Sequence, residues 1–155
     1  MEKLNVQLYK IASFEIIDLP LIKYVAEKGK PMLLSTGMAS KDEVSQALEV
    51  INEIGNSQVL LFHCVSSYPA PTEQSNLSNI KFLKNQFGVE VGLSDHTISN
   101  LASTIAIGMG AVAVEKHVKL DVTDCGPDSS FSLNPAQLKS FVDECNLAWK
   151  AVGEE

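Results

Sequence analysis

Five times along this chain a short apolar run gives way to a longer amphipathic one. This alternation limits the fold more than any other feature. The apolar runs are VQLYKIAS (6–13), PMLLSTG (31–37), QVLLFHCV (58–65), VEVGLS (89–94) and AVAVEKHV (111–118). Runs of this length, rich in Val, Ile and Leu, read as buried strands. The segments between them carry helix signals. Asp18 precedes LPLIKYVAEKG, with Pro20 near the start and Gly29 at the end, and Ser40 precedes KDEVSQALEVINEIG, where Val44, Leu48 and Ile51 recur at helical spacing. Further helices are expected over LSNIKFLKNQFG, SNLASTIAIGMG and NPAQLKSFVDECNLAWKAVG, and a proline-rich loop, SSYPAPTEQSN, follows the third strand.

Alternating strands and helices require a parallel sheet with right-handed crossovers, either an open doubly wound sheet or part of a (β/α) barrel. Strand starts lie 22 to 31 residues apart, near the roughly 30 residues of one barrel unit. No GxGxxG follows the first strand, which counts against a dinucleotide-binding sheet. The expectation is α/β, a (β/α) barrel architecture, in a single domain of 155 residues with 45% hydrophobic content.

Charge and cysteine usage narrow the function. A formal net charge of -7, from 19 acidic against 12 basic residues, excludes the clustered positive surface that nucleic acid or an anionic membrane requires. Any bound anion must be gripped locally. Cys64, Cys125 and Cys145 form neither a CxxC pair nor an even set, so a disulfide framework or structural zinc site is not indicated. No signal-peptide order opens the chain, and its most apolar run, IAIGMGAVAV, falls short of the ~20 residues of a membrane span. The chain is expected in the cytoplasm.

In a barrel, chemistry sits where strands end and loops begin. Ser13, Ser35, Thr36, His63 to Ser67, Ser94 to Thr97 and Glu115 to His117 all fall there. His96 and His117 end consecutive strands, so their side chains can converge, and two neutral imidazoles near an acid suit a divalent transition metal. The alternative is that each histidine only bonds a loop carbonyl. Lys10 and Ser13 close the first strand, and LSTGM closes the second just before a helix. That combination can hold phosphate or carboxylate, or be a solvated lysine beside an ordinary cap. His63 and Cys64 are adjacent, and strand neighbours point to opposite faces, so they make a poor proton relay. Cys64 reads as a packed core thiol. Tyr68 either lines the mouth or stiffens a proline loop, and Asp128 either overhangs the mouth or belongs to a turn.

Taken together, YKIASFEI, GKPMLLSTGMAS, HCVSSYPAP, GLSDHT, VEKHVKLD and GPDSSFSL resemble the sialic acid (N-acetylneuraminate) synthase family, in the family's order over roughly residues 8 to 152. IASFEI is more similar to pseudaminic acid synthases than to the N-acetylneuraminate branch. The resemblance implies a TIM barrel, (β/α)8, of which this chain covers strands four to eight, as a partial synthase domain over 1–155 with no antifreeze-like C-terminal domain. It implies condensation of phosphoenolpyruvate with an N-acetylated amino sugar to a nonulosonic acid, with manganese, magnesium or cobalt as the divalent ion. By the same resemblance His96 and His117 match the metal-binding histidines, and Lys10, Ser13, Ser35 and Ser94 match phosphoenolpyruvate contacts. Ser66, Tyr68 and Asp128 match positions near the phosphate or acceptor sugar, with Ser66 standing where some members carry asparagine. Lys10, His96 and His117 are thereby the groups expected to act on the reacting atoms. The family's first three units, with a water-activating acid and a second lysine, have no counterpart in these motifs. Nor has the arginine that the family's C-terminal domain reaches into the partner site of a homodimer. An inactive metal- or phosphosugar-binding remnant is therefore the alternative.

Overall fold

The computed structural model describes residues 2–123 and 125–153. Five parallel strands, β1 (Tyr9–Ile11), β2 (Met32–Ser35), β3 (Val59–Cys64), β4 (Glu90–Asp95) and β5 (Val114–Lys116), lie side by side in the order of the chain. Helices α1 (Leu19–Ala26), α2 (Lys41–Glu53), α3 (Ser78–Phe87), α4 (Leu101–Gly108) and α5 (Pro135–Val152) follow them in turn. The order never reverses. A doubly wound sheet needs such a reversal to place helices on both faces, whereas steady right-handed winding puts every helix on one face and curls the sheet into part of a barrel.

The helices begin where side chains satisfy their free amides. Asp18 accepts from Leu21 N at the start of α1, and Ser40 and Glu43 form a reciprocal capping box on α2. Asn134 and Gln137 form a second box on α5, which opens with Pro135. Gly88, at φ 65°, ends α3 in the left-handed region that glycine enters without steric cost.

Every second strand residue faces these helices. Tyr9, Ile11, Met32, Leu34, Leu61, Val91 and Leu93 pack on Ile22, Val44, Ala47, Ile51, Ile80, Leu83 and Ala106 in one apolar core. The register aligns the alternate residues on the other face: Lys10 beside Leu33, Ser35 beside Phe62 and Gly92, and Cys64 beside Ser94 and Glu115. Gly92 is required there because an added Cβ would come within 2.6 Å of the Phe62 ring and 2.7 Å of the Ala113 carbonyl.

The outer strands are shorter than their apolar runs suggest. Residues 6–13 and 111–118 yield only Tyr9–Ile11 and Val114–Lys116, and beyond β5 the backbone makes isolated bonds, Val112 N to Val91 on one side and Leu133 N to His117 on the other. The helix expected over 99–110 likewise narrows to Leu101–Gly108. No described helix is long and apolar enough to cross a membrane.

Both outer strands leave backbone donors and acceptors open, and each adjoins an apolar groove. The groove beside β1, about 490 Å³, is lined by Tyr9, Ile11, Leu21 and Tyr24, and the one beside β5, about 400 Å³, by Val114, Phe141, Val142 and Trp149. Open edges with apolar flanks promote association. The 155-residue chain is therefore expected to self-associate, and light scattering that finds a stable monomer at tens of micromolar would refute this.

Candidate active site

The carboxyl ends of all five strands meet on the face away from the helices. Lys10 of β1 donates to Ser35 Oγ of β2 at 2.7 Å, and its Nζ stands 3.5 Å from Glu115 Oε1 of β5. Glu115 in turn accepts from Ser94 Oγ of β4 at 2.8 Å. One lysine, two hydroxyls and one carboxylate thus bridge the open face from its first strand to its last. Lys10 is thus held by a hydrogen bond and an ion pair, and its ammonium is a cation chemically suited to meet an anion.

His96 follows β4 and is buried. Its Nδ1 lies 2.8 Å from the Val65 carbonyl. A carbonyl only accepts, so Nδ1 carries the proton and Nε2 keeps its lone pair. Ser94 already donates to Glu115, and its 3.4 Å separation from Nε2 leaves that lone pair available. Burial is the main influence on His96 and pushes its pKa down. The Val65 bond opposes this, and His117 adds to it. His117, half-buried, has its Nδ1 3.5 Å from Asp128 Oδ2. The two imidazole centroids are 5.4 Å apart, edge to face. An imidazole whose Nδ1 is steered by an oxygen acceptor while Nε2 stays free is the arrangement of a metal-ligating histidine. The loop-carbonyl bond anticipated for His96 is present, and it leaves the other ring nitrogen open. Among the described residues no three His, Cys, Asp or Glu side chains are grouped to hold a metal. A divalent ion here would take its remaining ligands from water or substrate oxygens.

An aromatic wall borders the histidines. The Tyr68 ring lies 4.2 Å from that of His96 and 5.9 Å from that of His117, and Phe131 stands 5.0 Å from His117. Tyr68 is half exposed, and its phenol pKa is raised, first by burial and then by its electrostatic neighbours, among them the Asp128 and Glu115 carboxylates. It therefore remains a neutral donor.

Beyond Lys10 the ends of β1, β2 and β3 crowd around Gly37. A Cβ there would lie 2.6 Å from Cys64 Sγ, 2.7 Å from Ser66 Oγ and 3.0 Å from Ser13 Oγ. Ser13 Oγ and Cys64 Sγ are 3.1 Å apart, while the enclosed Ser66 Oγ has no hydrogen-bond partner. An enclosed hydroxyl without a partner is costly unless something uses it, and an anion oxygen fits that need.

Nine of the residues singled out from the sequence reach one mouth, Lys10, Ser13, Ser35, Ser66, Tyr68, Ser94, His96, His117 and Asp128, whereas His63, Asp95 and Lys116, read at the same strand ends, turn to the helix side. Cys64 is buried as expected, but it faces the site rather than the helix core. Its neighbour His63 points the other way and bonds the Ser75 carbonyl at 2.7 Å. Sequence reasoning underrated Glu115 and missed Phe131. Glu115 was visible as the strand neighbour, by alternation, of His117. Phe131 lies in an irregular segment where no periodicity marks its direction.

The family model described as the NeuB family matches residues 1–155. The pseudaminic acid synthase of Helicobacter pylori is 42% identical over 155 residues, spanning 100% of this chain and 46% of the relative. The N,N'-diacetyllegionaminic acid synthase of Campylobacter jejuni is 38% identical over 99% of this chain and 47% of its own length. In structure, N-acetylneuraminic acid (sialic acid) synthetase from Leptospira borgpetersenii, in complex with citrate, superposes with a TM-score of 0.93 at 34% identity, over 99% of this chain and 53% of that one. The chain thus spans about half the length of the relatives it matches.

Burial pushes the pKa of His63 down as well, opposed by its bond to Ser75. With both histidines below the ordinary 6.5 in the folded state, the unfolded chain binds more protons as pH falls below that value. Their contribution to stability is complete above 6.5 and is lost on acidification toward the folded-state values. The denaturation midpoint should therefore drop between about pH 7 and pH 5.5, and less steeply in His63→Gln. A flat wild-type profile over this range would show that neither ring is held neutral.

Proposed function

The chain belongs to the NeuB family, and on that footing we propose that it is the synthase unit of a nonulosonic acid synthase of the pseudaminic type. The reaction joins phosphoenolpyruvate to an N-acetylated amino sugar. C3 of phosphoenolpyruvate bonds to the aldehyde carbon of the open-chain sugar, water adds at C2, and phosphate leaves with its C–O bond broken. The observation that carries this reading is the bridge across the mouth, Lys10 to Glu115 to Ser94, ending beside two imidazoles whose centroids are 5.4 Å apart.

Lys10 and Ser35 grip the anionic end of phosphoenolpyruvate, and Ser13 and Ser66 offer hydroxyls around Gly37 to its phosphate oxygens. Ser94 orients the carboxylate end. Tyr68 and Asp128, at the rim, receive the acceptor sugar. Glu115 restrains Lys10 until an anion competes for it, and is placed to accept a proton. His96 and His117 would hold a divalent ion, manganese first with magnesium or cobalt as alternatives, which supplies Lewis-acid polarisation of a carbonyl oxygen. Much of the acceleration is then positioning. In this reading the five units are barrel strands four to eight, residues 1–155 form part of a synthase barrel, and the intact synthase is a cytoplasmic homodimer.

A second reading is favoured by the relatives' length, of which this chain spans 46 to 47%. It is a catalytically silent metal- or phosphosugar-binding unit of this family.

Calorimetric titration tests the site. Manganese should bind the wild-type chain and lose on the order of tenfold or more in affinity with His96→Ala or His117→Ala, and equal binding by all three would overturn the metal assignment. Phosphoenolpyruvate should bind Lys10→Ala correspondingly more weakly. Product formation from phosphoenolpyruvate and N-acetylated sugars separates the two readings.

A further inference from the structure

On the helix side of the sheet, directly behind the two histidines, lies a buried ion pair that the proposed chemistry does not use. Lys116 Nζ donates to Asp95 Oδ2 at 2.8 Å, and their side chains are 2% and 1% exposed. Lys116 also donates to the carbonyls of Thr97, at 2.7 Å, and Ser99, at 3.2 Å, so all three of its N–H groups are used. Asp95 accepts from Ser103 Oγ through Oδ2 and from Thr97 N through Oδ1, at 2.8 Å for the latter. Asp95 immediately precedes His96, and Lys116 immediately precedes His117.

We propose that the Asp95–Lys116 pair is a register lock, which aligns β5 against β4 so that Glu115 and His117 face the mouth together with Ser94 and His96. β5 pairs through three positions only, Leu93 with Val114, Ser94 with Glu115 and Asp95 with Lys116. It is an outer strand whose approach, Ala111-Val112-Ala113-Val114, is apolar on both parities. Hydrophobic patterning therefore does little to oppose a one-residue slip, and such a slip turns every side chain to the opposite face. It would carry Glu115 and His117 into the helix core and expose Lys116 at the mouth. The ion pair forms only in the observed register.

Stability does not account for the pair. Replacing a buried ion pair with apolar groups is often neutral or stabilising, and setting register is among the best-attested uses of buried polar groups. Asp95 and Lys116 are thus positioning residues, acting on the mouth through the histidines that follow them.

The proposal deepens the synthase reading, but its test needs no metal. In Lys116→Met, with a side chain of similar length, the 155-residue chain should fold while β5 amides lose protection, relative to β3 amides, by on the order of 100-fold. The nuclear Overhauser contact between the His96 and His117 rings should disappear. A folded Lys116→Met with both features unchanged would overturn the proposal. As a control, Ile51→Ala lowers global stability through α2 and should leave the β5-to-β3 ratio unchanged; a drop equal to that in Lys116→Met would reduce the pair to general stabilisation and also overturn it. Should Lys116→Met fail to fold, Ser103→Ala removes one contact to Asp95 and should lower the ratio by roughly tenfold, with an unchanged ratio again overturning the lock. Loss of the ring contact in a chain that binds no manganese would support the lock while refuting the metal assignment alone.

Discussion

A parallel strand buries side chains on both faces, and in this molecule the two faces have opposite duties. Residues that face the helices form an apolar core of Ile, Leu, Val and Met. Their immediate neighbours, Lys10, Ser35, Cys64, Ser94 and Glu115, face the other way. The period of two makes this division all or none for each strand. Because the same residues that pack the core set the phase of the polar set, the mouth is only as well defined as the register of each strand pair.

Polar groups at the mouth are partnered where a fixed geometry is needed and unpartnered where a ligand is expected. The Val65 carbonyl orients His96, and Ser94 spends its proton on Glu115, so the Nε2 lone pair is left free. Lys10, partly exposed, is neutralised in part by Glu115. Ser66 has no such internal partner. The chain carries a net charge of -7, so any anion bound there would have to be held by this short-range arrangement, against the general field of the protein.

The helix side contains polar groups of a different kind. His63 and the Asp95–Lys116 pair are buried and hydrogen-bonded, with partners in loops that lead to the mouth. Lys116 ties β5 to the segment after β4, and His63 ties β3 to the segment before α3. Both connections restrain loops that a sheet alone would leave free, and each lies next in sequence to a residue of the opposite face.

The amino-acid sequence by itself determined the alternation of strands and helices, the caps at Asp18 and Ser40, and the clustering of Lys10, the serines and both histidines at strand ends. These depend on local propensities and on a period of two, which act over a few residues. Its motifs also pointed to the family. Tertiary structure alone decided between a sheet wound on one side and one wound on both, because that rests on the spatial order of strands. It likewise decided that Lys10 reaches Glu115, more than a hundred positions away, that Phe131 closes the wall beside His117, and that Lys116 turns inward to Asp95. A lysine next to a histidine reads locally as a solvent-facing charge. Only the pairing of β4 with β5 supplies the carboxylate and two carbonyls that make its burial possible.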